Sequence, residues 1–497
     1  MIRVHSSTGR DDRGAAAVII GIVMFPLVLF VAFATDLGLW FQRGQELQTS
    51  ADLAALAAAA EMPDQSAAAV MATSTLRANG IDPSDPDINL SITYPRPGEV
   101  KVEVADNSVE TIFSRPILSN VSTSRSATAR YLPPIALGSP SNTFGASAVP
   151  VAPSDQQIWG AIYGPNTPKQ QGDPYAVSCA GPTNSCTETN LLFRPDGYWY
   201  AVEVDTPGPV TISLYDAGYY ENSCDFPDEQ CDMTPWGGSE GGVAFEVFDT
   251  DNSPHDYTDN PTIGPACQLY IAPETNAAVY DDKWATLCTF NATSAGIYPV
   301  NVRMDGWRSW VPSPTNASDR RNVNTYSIRA TAGSGSVQLY GLDALGFISN
   351  ADTSRDISFW LAEIDEAYYG QTIEIGIFDP GEVPPNTSLE IRDGNNNVPP
   401  CRFAVVDHNQ TTDPSWTSLT NCRITTNPSN NSRPYNNTWV MFEIDIPDTY
   451  VCGTSCYWSV FQDLDQSQVD GDGDPLQATE RQTWTVRVKG DPIRLTE

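Results

Sequence analysis

The stretch AAAVIIGIVMFPLVLFVAFAT, Ala15 to Thr35, runs 21 residues without a charged side chain. As a helix rising about 1.5 Å per residue it spans about 31 Å, one bilayer hydrocarbon core. Pro26 in its middle is tolerated in a lipid-embedded helix. A cleaved signal peptide has a shorter apolar run and then a break in structure. Here the run is long, and Asp36 leads straight into a helix-favouring stretch. The sequence therefore predicts a retained transmembrane helix over 15–35. Arg3, Arg10 and Arg13 precede it, and Arg43 is the only basic residue in the 40 that follow. By the positive-inside rule residues 1–14 are a cytoplasmic tail, and the bulk of this single-pass cell-membrane protein is extracytoplasmic.

That sidedness decides what the cysteines mean. All ten lie beyond residue 178, in an oxidising space where disulfides prevail over metal ligation. Their spacing suggests sequential pairs. Cys179 and Cys186 are seven apart, as are Cys224 and Cys231; Cys267 and Cys288 are 21 apart, as are Cys401 and Cys422; Cys452 and Cys456 are four apart. Spacing alone does not fix connectivity. No C-x2-C pair of the zinc type occurs.

Beyond the span, residues 36–80 read as helix, with Leu37, Phe41, Leu47, Ala51, Ala54 and Ala58 near helical spacing and Asn79-Gly80 as the stop. Short alternating runs follow at Ile88–Ile92, Val100–Val104 and Val121–Ala129, which predict a small sheet. Residues 36–132 are thus expected to form an α+β stalk. Residues 133–155 are rich in Pro, Ser and Ala, a linker composition. From 156 onward no useful helical period occurs, and short strands alternate with turn residues, an all-β pattern. That half repeats itself. Tyr198–Asp205 resembles Ser358–Asp365, Val210–Asp216 resembles Ile373–Asp379, and Phe245–Asp249 resembles Leu389–Asp393. The matched cysteine intervals follow, enclosing Trp284 and Trp416, and each copy closes on a strand, Thr325–Arg329 and Thr483–Arg487. Two tandem all-β sandwich domains of jelly-roll or immunoglobulin-like type are expected, over 156–335 and 336–490. In the first, Val202 and Val204 are expected on the core face and Glu203 on the other.

The N-terminal motifs, Arg13-Gly14, Asp36-Leu-Gly38 and Leu47-Gln48-x-x-Ala51-Asp52-x-x-x-Leu56, resemble the TadG-like (TadE/TadG) family of Flp pilus assembly proteins. The resemblance continues through 72–132 and makes the stalk pilin-like. It implies an inner-membrane anchor and, as partners, other proteins of a Tad/Flp pilus assembly or secretion machine. No D-x-S-x-S metal motif of the von Willebrand A type occurs, and Ile19 stands where a processed pseudopilin keeps Glu. More loosely, Gly197–Val202, Val210–Asp216 and Gly296–Val302 resemble bacterial pre-peptidase C-terminal β-sandwich domains.

The inventory for chemistry is thin. With 27 basic and 61 acidic residues the net charge is −34, which opposes nucleic-acid binding and docking on anionic lipid. The three histidines, His5, His255 and His408, belong to no recognisable triad. Asp470-Gly-Asp472-Gly-Asp474 is the candidate Ca²⁺ loop, although Pro475 and Arg481 break the EF-hand pattern and a solvated hairpin is the alternative. Asp249-x-Asp251 is a weaker version of it. Trp307 and Trp310 read either as a core pair or as a stacking surface. The sequence predicts a non-enzymatic anchored protein of a Tad-type machine, its β domains serving as spacer or binding modules. The alternative is a surface adhesin or carbohydrate-binding protein on a pilin-like anchor, with a surface glycan or protein as ligand.

Overall fold

The computed structural model describes residues 13–96, 98–113, 121–146, 157–165, 167–175, 177, 190–215, 242–251, 256–272, 277–280, 283–304, 310 and 323–496. The chain divides into two compact units, residues 1–132 with 492–497, and residues 133–491.

The first unit starts with helix α1, Arg13–Ala59, which joins the predicted span and the following helix without a break. Pro26 lies inside it. Val18 to Phe33 project exposed apolar side chains, whereas Leu47, Ala51, Ala54, Ala55 and Ala58 are fully buried. The helix expected to run to residue 80 stops at Ala59 and restarts as α2, Gln65–Ala78. Pro63 has no N–H to continue the ladder. Asp64 then caps the new helix, its carboxylate accepting from the amides of Ser66 (2.8 Å) and Ala67 (3.0 Å). At the far end the amides of Gly80 and Ile81 turn back to the carbonyls of Arg77 and Leu76, with Gly80 at φ +81°.

Strands β1 (Ile88–Thr93), β2 (Glu99–Asp106) and β3 (Thr123–Tyr131) form an antiparallel sheet. Val100, Val102, Val104, Ala127 and Ala129 bury their side chains with those of the alanine-rich helices in one core. A fourth strand comes from the far end of the chain: Ile493–Leu495 pairs with Ala129–Tyr131. The amide of Leu132 donates to the carbonyl of Pro492, so the chain leaves and re-enters this unit at adjacent points.

In the second unit an eleven-stranded sheet runs through both halves. In the first half, Gly208–Tyr215 pairs with Trp284–Ala292 and Val323–Ala332. In the second, Thr372–Phe378 pairs likewise with Thr438–Asp445 and Gln477–Val488. Strand Gln157–Tyr163 joins the halves, pairing with Val323–Tyr326 and with Phe347–Asn350. Gly160 sits opposite Tyr326 and Phe347 together, and a Cβ there would lie 2.8 Å from the buried Tyr326 ring. Each half adds its own outer sheet, five-stranded around Tyr198–Val204 and four-stranded around Ile357–Glu363. The two expected sandwiches are therefore parts of one compact unit.

Two expectations change in detail. In Tyr198–Val204 only Glu203 is exposed, because Trp199 and Ala201, on the face away from Val202 and Val204, pack with Phe248, Tyr340 and Leu342. Within the segment expected as a linker, Ile135, Leu137 and Phe144 are buried. Leu137 exchanges backbone hydrogen bonds with Gly341, while Gly138 donates to Leu361 and Glu363 donates to Ala136. This short strap thereby stitches the edge of one outer sheet to the edge of the other.

Glu480 lies in the second unit, fully buried, and accepts from the amides of Gly381 (2.6 Å) and Val383 (3.0 Å) and from Gln482 Nε2. Burial pushes its pKa up from 4.5 to about 7, and nearby Glu382, itself paired with Arg481, pushes the same way against those hydrogen bonds. The folded state thus holds a proton that the unfolded chain releases. Its stabilising contribution is complete below pH 4.5 and is lost as pH rises through about 7. As pH rises through that window the wild type should lose about 3 kcal/mol of unfolding free energy that Glu480→Gln keeps. Parallel stability curves for the two proteins would refute the assignment.

Candidate functional site

The candidate site of the first unit lies where α1 leaves its apolar half. Val18–Ala59 contains a segment long and apolar enough to cross a membrane. Asp36 follows the charge-free run directly, yet it is only 6% exposed. Its carboxylate accepts from the amides of Ile112 (2.7 Å) and Phe113 (3.1 Å). Those two residues carry their side chains outward, 62% and 51% exposed. One helical turn on, Trp40 Nε1 donates to the carbonyl of Ser122 at 3.1 Å. Arg43 bridges Asp106 (2.8 Å) and Glu46 (3.2 Å). Gln48 Nε2 donates to Asp52 Oδ1 (2.7 Å) and to the Ser126 carbonyl (3.1 Å). Leu47 and Ala51 are buried beside them, and Leu56 packs on the same core. The three- and four-residue steps from 36 through 40, 43, 47 and 51 put these groups on one face of α1. Of the remaining motif residues, Gly14 lies in the first turn of α1; nothing within 4 Å explains a glycine at Gly38.

The cysteines in the described residues are joined as Cys267–Cys288, Cys401–Cys422 and Cys452–Cys456, with Cα–Cα separations of 4.9, 5.3 and 4.7 Å. The loop-entropy contribution of a 21-residue loop is about 3 kcal/mol. Cys179, Cys186, Cys224 and Cys231 lie outside the described residues, as do His5, His255 and Trp307. The backbone carbonyl of His408 accepts from Lys169 Nζ at 2.7 Å. Trp310 lies 5.6 Å from the Arg303 guanidinium.

The Asp470 loop is brought together differently from a cation cage. Asp470 Oδ1 accepts from the amides of Asp472 (2.9 Å) and Asp474 (3.0 Å), closing the hairpin on itself. Among the described residues no group of three His, Cys, Asp or Glu side chains gathers in metal-binding geometry, and this holds for Asp249 and Asp251 too.

Sequence reading missed a groove of about 640 Å³ in the second unit. Trp284 from the first half and Trp360 from the second line it, with Arg329 and Ser139, Ser141 and Asn142 of the strap segment. Trp360 is 45% exposed. The strand alternates buried Ile357, Phe359 and Leu361 with exposed Ser358 and Trp360. A tryptophan in step with a serine was the available signal.

The Asp36 contact yields a direct test. Asp36→Ala removes a charge-assisted acceptor, so the Ile112 and Phe113 amides should exchange hydrogen at least about ten-fold faster. Exchange in α2 should stay unchanged. Equal protection in both proteins would show that the loop is held by other contacts.

A search of curated proteins found no match. Similar solved structures include the N-terminal CBM22-1-CBM22-2 tandem domain of Paenibacillus barcinonensis Xyn10C, at 7% identity over 81% of this chain and 92% of that one, with a TM-score of 0.13. The VP2 subviral particle of infectious bursal disease virus is 9% identical over 72% and 80%, with a TM-score of 0.12. Scores of that size carry no argument. Residues 14–61, which hold the apolar helix, Asp36 and the Gln48–Asp52 pair, match the family described as Putative Flp pilus-assembly TadE/G-like, and this N-terminal segment is TadE/G-like.

Proposed function

We propose that the chain is a non-enzymatic, single-pass component of a Flp/Tad-type pilus assembly or secretion machine, with its N-terminus in the cytoplasm and its β unit presented outside. The observation that carries this reading is the coincidence of the TadE/G-like match at 14–61 with an exposed apolar helix whose end is fixed to a folded α+β unit through Asp36. The orientation rests on Arg3, Arg10 and Arg13 ahead of the span, and on three disulfides beyond it that suit an oxidising space. Other proteins of the machine are the expected partners. The exposed apolar part of α1, Val18 to Phe33, is the surface left for a similar helix to pack against.

A second reading, a glycan-binding adhesin on the same anchor, is favoured by one observation, the exposed Trp360 beside Trp284 in the groove. Exposed aromatic faces on a rigid sheet suit recognition more than stability.

Protease added to intact spheroplasts should remove a C-terminal tag and spare an N-terminal one, while alkaline carbonate should leave the protein in the membrane. Carbonate extraction would end the anchor, and the opposite tag pattern would end the orientation. Deleting the gene should abolish the pili of its host; unchanged piliation would sink the assembly role.

A further inference from the structure

We infer that the groove bounded by Trp284 and Trp360 binds a neutral oligosaccharide without cleaving it; this deepens the glycan-binding reading by assigning its site. A pyranose has an apolar C–H face and a polar hydroxyl rim, so it needs flat aromatic surface next to short hydroxyl and amide groups. The groove supplies both. Trp360 stands at an outward position of its strand and is 45% exposed. It is held rather than loose: Tyr457 meets its ring edge-on, centroids 6.1 Å apart. The Tyr457 hydroxyl is itself tied to Glu363 (3.1 Å) and to Gln338. A preset aromatic loses little freedom on binding.

Trp284 stands at the start of its strand with the Arg329 guanidinium over its ring at 4.0 Å, and Tyr215 flanks it at 5.5 Å. Arg329 Nε is buried and makes no hydrogen bond among the described residues. The polar rim comes from the strap segment, where the half-buried Ser139 and the exposed Ser141 share a hydrogen bond of 2.8 Å. Asn142 Nδ2 donates to the Ala330 carbonyl at 2.7 Å, which fixes the strap against the sheet that carries Arg329.

Charge sets the ligand class. The chain has 61 acidic residues, yet none of the described residues lining the groove is acidic. Glycoside hydrolysis needs two carboxylates flanking the scissile bond, so the groove can hold a sugar and lacks the groups to cut it. The whole chain carries −34, which opposes the long-range approach of anionic polysaccharides, and Arg329, the one charged residue among the described lining, is already held over Trp284, so neutral sugars are the class assigned.

The test is the full-length protein in nanodiscs on an array of neutral and acidic oligosaccharides, followed by titration calorimetry with each neutral hit. Binding to a neutral glycan should weaken at least ten-fold in Trp360→Ala. It should survive in Trp360→Phe and in Val405→Ala, a control at another exposed position of the same unit. Equal melting temperatures will exclude unfolding, since Trp360 is not a core residue. If the wild type binds glycans with the same affinity as Trp360→Ala, the groove is not the site, although the glycan-binding reading stands. If the wild type binds no glycan, both fall. Preference for acidic glycans would overturn the ligand class.

Discussion

The second unit depends on the double pairing of Gln157–Tyr163. A strand buried inside a sheet must satisfy its amides and carbonyls on both edges. This one does so with Val323–Tyr326 from one half and Phe347–Asn350 from the other. Without it each half would present an open edge, the usual site of wrong pairing between chains. The junction is tight enough that Gly160 leaves no room for a side chain against Tyr326. The strap at Ala136–Gly138 repeats the device on the outer sheets. The groove, lined from both halves, exists because the halves are joined in this way.

Much of this was legible in residues. The span declared itself by the absence of charge over 15–35, and β1, β2 and β3 by alternation that tertiary packing then used. The equal 21-residue intervals anticipated the pairs Cys267–Cys288 and Cys401–Cys422. The break at residues 60–64 was readable in Pro63 and Asp64, but the density of alanine on either side outweighed two local signals. The strap was read as a linker because composition averages over Ile135 and Leu137, the residues that bind it down. The terminal strand Ile493–Leu495 is too short to show a period, and its partner lies more than 360 residues away in the chain. Trp360 lies inside a repeated strand, where likeness to the other copy carries no information on which face a side chain occupies.

The aspartates divide by what their carboxylates hold. Asp36, Asp64 and Asp470 all receive backbone amides, at a loop beside the end of the apolar run, a helix start and a hairpin. An aspartate among glycines reads as a cation ligand in sequence because both roles need a short carboxylate near a sharp turn. Among the described residues Asp470 receives two backbone amides, and no group of three such carboxylates gathers there.

Both chain ends of the β unit return to one small sheet, at Leu132 and Pro492, which bond to each other. A protein hung from a single tether can swivel about it, and the tether alone bears any pull. Here a pull at either crossing point of the chain meets the same small sheet, through the adjacent strands β3 and Ile493–Leu495. The eight-residue ladder of β2 and β3 backs that pair of strands, so the load spreads along a ladder rather than resting on one peptide.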